Sequence, residues 1–171
     1  AVGVHVTFAP VMDVNSNPKN PIINFRAYGD SPEIVERFGR AFIRGVQENS
    51  MIATAKHFPG HGNTATDSHT SLPVIEAEKD DFERIDLAPF IAAVESGVGM
   101  IMVGHIAVPS ISNNDLPATI TSELNEDLLR KELGFEGIIV TDALEMGGIT
   151  DSRWAGEAAI RAIEAGTDIV L

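Results

Sequence analysis

Residues 56–69, KHFPGHGNTATDSH, combine a lysine, an aspartate and three of the five histidines of the chain. Pro59, Gly60 and Gly62 disfavour both helix and strand in this segment, which predicts a long loop. Long loops within a compact domain commonly carry binding and catalytic residues. This concentration of groups that bind or transfer protons therefore indicates a catalytic loop.

Asp67 and His69 are the residues of this loop whose spacing suggests proton transfer. They are separated by one residue, so an extended backbone would direct both side chains to the same side. A carboxylate that binds an imidazole fixes its tautomer and raises its basicity, as in catalytic dyads. We expect a proton-transfer pair, and the alternative is a hydrogen bond that only stabilises the loop.

Metal binding is another use for the same side chains. His57, His61, Asp67 and His69 are of the types that form zinc sites. The neighbouring ammonium group of Lys56 would oppose a bound cation, and the segment contains no spacing such as HExxH. We therefore expect no metal, while keeping the metal site as an alternative.

Asp142 lies directly after the apolar run of residues 137–140 and Thr141. A carboxylate at the end of a buried strand is costly to desolvate unless it is paired or used in chemistry. A carboxylate nucleophile and a proton donor on neighbouring loops would fit the retaining glycosidase scheme. The alternative is that Asp142 caps a helix that begins with the sequence ALEM.

Short apolar runs alternate with helical patterns along the chain. Continuous apolar runs are typical of parallel strands that are buried on both faces. The five predicted strands are 4–14, 51–58, 99–108, 137–144 and 167–171.

The intervening segments predict four helices, beginning near residues 31, 86, 122 and 154. Glycines 97, 134 and 166 are expected to follow the last three of them. The residues expected to face the core are Ile34, Phe38, Phe42 and Val46 in the first helix, Phe90 and Val94 in the second, Leu124, Leu128 and Leu129 in the third, and Ala158, Ile160 and Ile163 in the fourth.

Repeated strand and helix units predict an α/β fold, either a doubly wound sheet or part of a (β/α)8 barrel. His57, His105 and Asp142 follow or end predicted strands, which favours the barrel, because barrel enzymes place catalytic groups there. A complete barrel takes about 250 residues, so we expect an incomplete one. Both ends of the chain fall within strand patterns, and we expect them to be cuts in a longer protein. His5 is expected to be a buried core histidine.

The composition excludes several classes of function. The net charge of −13 argues against a nucleic-acid partner, because phosphate binding requires clustered Lys and Arg. No apolar run approaches the roughly 20 residues that span a bilayer. The chain contains no cysteine, which excludes disulfides and thiol nucleophiles.

Several ordered motifs together resemble glycoside hydrolase family 3, in particular its β-N-acetylglucosaminidase branch. They are APVMDVNSNPKNPIINFRAYG (9–29), KHFPGHG with the following DSH (56–69) and LGFEGIIVTDALEM (133–146), and the resemblance extends over essentially all 171 residues. It implies that residues 1–171 are part of a single (β/α)8 catalytic domain whose first strands lie upstream of residue 1.

The resemblance also implies the roles of individual residues. Asp142 would be the nucleophile, His69 the general acid/base and Asp67 its orienting partner. Arg26, Lys56 and His57 would hold sugar hydroxyls, and Asp13 would lie at the edge of the site. His105 is assigned to substrate binding, with core packing as the alternative.

The activity that the resemblance implies is retaining, exo-acting removal of terminal N-acetylglucosamine from peptidoglycan fragments or chitooligosaccharides, without a cofactor. A histidine is neutral after it donates its proton, so phosphorolysis is a further option. The residue pattern also leaves open a β-glucosidase, a metal-dependent hydrolase and a non-catalytic sugar-binding module. Either the cytoplasm or an external compartment fits such enzymes, and the sequence indicates no oligomeric state. With Gly60 and Gly62 as hinges, we predict that the loop closes over bound substrate.

Overall fold

The computed structural model describes residues 3–150 and 154–171 as a parallel sheet with helices packed against it. The strands are β1 (Val6–Thr7), β2 (Ile52–Phe58), β3 (Met100–Val103) and β4 (Ile138–Thr141). The α-helices are α1 (Pro32–Gln47), α2 (Lys79–Phe82), α3 (Ala88–Glu95), α4 (Pro109–Ser112), α5 (Gly147–Thr150) and α6 (Ala155–Glu164). Two segments, Glu83–Leu87 and Glu123–Glu132, are π-helical, and Asn24–Arg26 and Ala118–Ile120 are 3-10 turns.

The four strands lie in the order β1-β2-β3-β4 and are all parallel. This open sheet confirms the predicted α/β class and matches part of a barrel. The prediction for β2 (51–58) is confirmed, whereas the other predicted strands were too long. Of residues 4–14, Val6–Thr7 form a ladder with β2 and Val11 adds one parallel bridge to Lys56. The fifth predicted strand is reduced to one parallel bridge, between Ile169 and Val140. This last segment nevertheless pairs with β4, because the amide of Thr141 donates to the carbonyl of Ile169 at 3.0 Å.

The main core lies between the sheet and the helices that follow β1, β2 and β3. Phe58 and Phe90 meet edge to face in it, with ring centroids 5.5 Å apart. The prediction for the third helix is confirmed, because its three inward leucines are buried: Leu124, Leu128 and Leu129. The second helix begins earlier than predicted, since the helical run starts at Lys79 and continues through Glu83–Leu87 to Glu95.

The predicted inner face of α1 was wrong by one position. The structure buries Val35, Gly39 and Ile43, because Met12 packs so closely on Gly39 that a Cβ there would lie 2.3 Å from its sulfur. Phe38 is instead exposed and stacks on Tyr28 with ring centroids 5.7 Å apart. The close contact at Gly39, rather than the position of the large Phe38, therefore determines which face of this helix is buried.

The predictions for α6 and for His5 were also partly wrong. Helix α6 packs through Ala158 and Ala162 against a small apolar cluster, and leaves Ile160 and Ile163 more than half exposed. Two alanines allow the close approach that isoleucines would prevent. His5 is exposed rather than buried, since it lies just before the edge strand β1. Within the described residues, no helix combines the length and the apolar character needed to cross a membrane.

Candidate active site

The carboxyl ends of β2, β3 and β4 meet at one edge of the sheet. The amide of Gly104 donates to the carbonyl of Phe58, and the amide of Asp142 donates to the carbonyl of Val103, both at 2.9 Å. These bonds extend the ladder past the strand ends and fix the relative positions of the following loops. The structure therefore brings the three predicted strand-end residues, His57, His105 and Asp142, to the same edge.

Arg26, His57 and Asp13 form a hydrogen-bonded chain at this edge. Nδ1 of His57 lies 2.7 Å from Oδ2 of Asp13, and its Nε2 lies 3.4 Å from Nη2 of Arg26. A guanidinium group can only donate, so Nε2 accepts and the Nδ1–H donates to Asp13. Arg26 also donates to the carbonyl of Ile22 at 3.2 Å. These hydrogen bonds fix both the tautomer of His57 and the orientation of the Arg26 guanidinium group.

Asp13 lies beneath the site rather than at its exposed edge. It is completely buried, and its carboxylate accepts hydrogen bonds from the amides of His57 and His61 as well as from the His57 ring. Burial alone would raise the pKa of Asp13, but the interactions and hydrogen bonds with His57 and His61 outweigh it and hold the pKa below its ordinary value. Asp13 therefore contacts His57, and its carboxylate is not exposed for contact with a sugar.

Lys56 occupies a half-buried position among the other charged groups of the site. Burial lowers its pKa, and the nearby guanidinium of Arg26 lowers it further. The carboxylates of Asp142 and Asp13 act in the opposite direction. Lys56 therefore lies within electrostatic range of both carboxylates and of Arg26, with which the sequence had grouped it for sugar binding.

The Asp67 and His69 side chains make the predicted contact, although not in an extended segment. Oδ1 of Asp67 lies 2.8 Å from Nδ1 of His69 and accepts the His69 amide at 2.9 Å. The backbone turns here, because the amides of Thr70 and Ser71 both donate to the Asp67 carbonyl. The hydrogen bond from the His69 amide, together with the histidine ring, lowers the pKa of Asp67, although burial opposes this shift.

His61 differs from His69 in being buried and fully engaged. Its Nδ1 lies 2.7 Å from Oγ1 of Thr64 and its Nε2 lies 3.0 Å from Oγ of Ser68. Burial lowers the pKa of His61 even though Asp13 opposes the effect. Across residues 3–150 and 154–171, no three His, Cys, Asp or Glu side chains converge as metal ligands.

Gly60 and Gly62, which were predicted to be hinges, lie in the packed base of the loop, where neighbouring residues leave them little room to move. Gly60 has a φ of +131°, and a Cβ on Gly62 would lie 1.7 Å from the carbonyl oxygen of Val14. Both are required for close backbone approach. We call the following residues 65–71 the arm, and most of the arm is more exposed than this base.

Asn20 is a site residue that sequence reasoning missed. It is buried, and its amide group donates to the carbonyls of His61 at 2.7 Å and Thr64 at 3.0 Å. Its side-chain oxygen accepts the amides of Ile22 and Ile23. Asn20 thereby joins the turn that carries Arg26 to the base of the loop. The Asn-Pro dipeptide at residues 20–21 was the available sequence signal, since it favours turn initiation.

Asp142 does not cap a helix. Its Oδ1 accepts the amide of the next residue, Ala143, at 2.9 Å, whereas the nearest following helix begins at Gly147. The helix-cap alternative is therefore wrong. Asp142 is partly exposed at the strand ends, as expected for a group that reacts with a substrate.

His105 is completely buried behind Asp142. Its Nε2 donates to the carbonyl of Ala143 at 2.8 Å, and its Nδ1 lies 2.7 Å from Oγ1 of Thr119. Burial lowers the pKa of His105, His69 lowers it further, and Asp142 opposes the shift. The sequence had assigned His105 to substrate binding, but the buried ring supports the segment after Asp142 and shows no surface to a sugar.

Comparison with known proteins agrees with the motifs. Residues 1–171 match the glycosyl hydrolase family 3 N-terminal domain. A β-hexosaminidase A of Pseudoalteromonas piscicida is 41% identical over the whole chain, which covers 30% of that protein. The chain thus spans less than a third of this curated relative.

Solved structures give the same result. A family 3 β-N-acetylglucosaminidase from Paenibacillus sp. FPU-7 superposes with a TM-score of 0.97 at 45% identity, over 99% of this chain and 32% of that one. A β-glucoside phosphorylase, BglX, superposes with a TM-score of 0.95 at 34% identity, over 99% of this chain and 32% of that one. Both hydrolytic and phosphorolytic enzymes therefore share this arrangement of strands.

Proposed function

Because this chain belongs to glycosyl hydrolase family 3, we propose that it forms part of the catalytic barrel of a retaining, exo-acting β-N-acetylglucosaminidase. The observation that carries the proposal is the Asp67 and His69 pair, 2.8 Å apart on a loop beside the strand end that holds Asp142. The substrates are glycans with a terminal, non-reducing N-acetylglucosamine, such as peptidoglycan fragments or chitooligosaccharides.

The reaction has two steps in this proposal. Asp142 attacks the anomeric carbon while His69 protonates the departing glycosidic oxygen, and a covalent glycosyl-enzyme forms. His69 then removes a proton from water, which attacks the anomeric carbon and releases Asp142. Asp67 holds the His69 ring through Nδ1, which leaves Nε2 to face the leaving group.

Substrate binding falls to the positive groups at the strand ends. Arg26 and Lys56 donate hydrogen bonds to sugar hydroxyls in this proposal. His57 is fixed between Arg26 and Asp13, so it couples the position of the buried carboxylate to that of the partly buried guanidinium. Asp13 and His105 act as positioning residues.

Covalent trapping tests this proposal directly. The full-length protein is treated with a fluorinated N-acetylglucosamine inactivator and analysed by intact mass and peptide mapping. We expect one sugar adduct, on the peptide that contains Asp142. The Asp142→Asn variant should form no adduct and should lose at least about 10⁴-fold in kcat, as nucleophile removal does in other covalent enzymes.

Glu145→Gln is the matched control, since Glu145 is an exposed carboxylate three residues away. It should retain the adduct and the activity. Turnover of an aryl N-acetylglucosaminide without any adduct on the Asp142 peptide would contradict the covalent assignment. Faster turnover of the aryl glucoside would favour a β-glucosidase, and sugar binding without turnover would favour a binding module.

Phosphorolysis is a second candidate, favoured by the similarity to a β-glucoside phosphorylase. A neutral histidine base does not repel an incoming phosphate dianion as a glutamate would. Adding phosphate to the trapped or turning-over enzyme should then yield sugar 1-phosphate with the anomeric configuration retained. Free N-acetylglucosamine as the sole product would assign hydrolysis, and loss of activity in excess chelator would instead favour a metal-dependent enzyme.

A further inference from the structure

Two adjacent glycines after Asp142 bind the loop that carries His69. The amide of Gly147 donates to the backbone carbonyl of His69 at 3.1 Å. The amide of Gly148 donates to the backbone carbonyl of Ser68 at 2.8 Å. The start of α5 is thus hydrogen-bonded directly to the backbone of the proton-transfer residue.

Both positions lack room for a side chain. A Cβ on Gly147 would lie 2.8 Å from the carbonyl oxygens of His69 and Thr70. A Cβ on Gly148 would lie 2.9 Å from the carbonyl oxygen of Ser68 and 3.0 Å from Cβ of His105. The neighbouring atoms are mostly backbone, so an alanine would have to displace the arm itself. Neither glycine has a positive φ, which means that close approach and not conformation requires glycine here.

The other end of the same segment is fixed to the sheet. The amide of Asp142 donates a hydrogen bond to β3, and the His105 ring donates one to the carbonyl of Ala143. The amide of Leu144 donates to the carbonyl of Leu171 at 3.0 Å. Residues 142–148 therefore connect the strand end that carries Asp142 to the arm through bonds at both ends. Among the described contacts, residues 142–148 are a short connection through which the position of Asp142 sets that of His69.

We propose that Gly147 and Gly148 are positioning residues that set the distance between His69 and Asp142 for proton transfer to the leaving group. This inference rests on the proposed glycosidase function. An added methyl group at either position moves His69 outward and leaves Asp142, which is held by β3 and β4, in place.

The proposal predicts a selective defect. A displaced acid impairs protonation of poor leaving groups, and general acid catalysis contributes about 10²- to 10⁴-fold. A 2,4-dinitrophenolate leaves without protonation, so the first step on that aglycone requires the nucleophile alone. Damage to Asp142 or to the fold would slow all substrates equally.

The test measures kcat/KM of the full-length enzyme for aryl N-acetylglucosaminides from 2,4-dinitrophenyl to unsubstituted phenyl, because kcat/KM reports the glycosylation step. We expect Gly147→Ala and Gly148→Ala to lose about 10- to 100-fold on the phenyl substrate and less than about threefold on the dinitrophenyl substrate. Azide, which needs no general base, should accelerate turnover of the dinitrophenyl substrate in these variants and form the glycosyl azide.

Gly45→Ala is the control, because a Cβ on Gly45 meets nothing within 4 Å and Gly45 lies in α1, away from the strand ends. It should leave the dependence on leaving group unchanged. Equal losses on both substrates, or no loss on either, would overturn the inference. Wild-type enzyme that turns over no N-acetylglucosaminide would instead refute the proposed function.

Hydrogen exchange of the wild-type protein gives a readout that does not depend on the variants folding. The amides of Gly147 and Gly148 should exchange slowly, because each donates to the arm. Rapid exchange of both amides in the folded enzyme would show that the arm is not held there, and the inference would be wrong.

Discussion

At the scale of single residues, Asp86 is the buried group that the proposed mechanism leaves unused. Its side chain is fully buried, and neither carboxyl oxygen has a hydrogen-bond partner within the described ranges. Burial and the charge of Asp13 raise the pKa of Asp86 to about 7, although the nearby Asn63 side chain partly offsets the rise. Asp86 also contacts Gly60 at the base of the catalytic loop.

This elevated pKa predicts how stability depends on pH. An unfolded aspartate has a pKa near 3.8, so the folded protein holds this proton more tightly. The stabilisation is complete below that value and is lost as the pH rises through about 7. Asp86→Asn removes the charge, and we expect the variant to melt several degrees above the wild type at pH 8 and equally at about pH 3, where Asp86 is protonated in both the folded and the unfolded state.

Thermal denaturation of the full-length protein across this pH range measures the effect. Asp80→Asn is the control, because Asp80 is exposed in α2, and it should give no difference that depends on pH. A constant offset between Asp86→Asn and the wild type at every pH would show that Asp86 does not titrate as expected.

The sequence predicted those candidate site residues whose neighbours are close along the chain. Asp67 and His69 are two positions apart, and Asp142 follows a recognisable apolar strand. Asn20, Asp86 and Gly148 were missed because their contacts join segments dozens of residues apart, and no local pattern reports such packing. Asp13 and His105 were predicted to contact the sugar but are completely buried, because a pattern of residue types does not show depth below the surface.

At the scale of elements, Asn20 determines how the turn of Arg26 joins the catalytic loop. Asn20→Ala would leave the carbonyls of His61 and Thr64 and the amides of Ile22 and Ile23 without this partner. Each buried group left unsatisfied costs about 1 to 3 kcal/mol. We expect a loss of roughly 2 to 4 kcal/mol in the free energy of unfolding, once partial relaxation is allowed for.

The same variant should raise KM more than it lowers kcat, because Arg26 contacts the bound sugar and not the reacting bond in the proposed mechanism. Denaturant unfolding and steady-state kinetics of the full-length protein measure both effects. Asn49→Ala is the control, since the Asn49 side chain is exposed and makes one local bond to the carbonyl of Gly45. Unchanged stability and KM in Asn20→Ala would contradict the role of this residue in joining the two segments.

The existence and order of the elements were predicted well, and their limits and faces less well. Strands β2, β3 and β4 fall inside predicted runs, because each run is short, mainly apolar and followed by residues that favour a turn or loop. The inner faces of α1 and α6 were only partly right, with Val46 and Ala158 predicted correctly, because hydrophobic size was taken as the guide to burial. Gly39 and Ala162 lie in those interfaces because Met12 and a neighbouring apolar cluster approach closely.

At the scale of the whole molecule, the open sheet predicts the behaviour of the 171-residue chain in isolation. Strand β1 is an edge that pairs only with β2 within the described structure. Apolar side chains near this edge and on α6 are exposed, namely Val4, Phe8, Ile160 and Ile163. Exposed edges and apolar surface favour association between chains.

The net charge of −13 opposes this association, because like charges repel when two chains approach. Salt screens that repulsion, and at about 0.5 M it acts over only a few ångströms.

We therefore expect the isolated chain to associate in a concentration-dependent way, and more strongly at high than at low salt. Sedimentation velocity at both salt concentrations measures this. Phe8→Lys should reduce association, since it replaces an exposed apolar side chain with a charge directly after the edge strand β1, whereas Glu145→Lys, which removes no apolar surface, should not. A monomer at high concentration in both salts would show that the charged surface alone keeps the open sheet apart.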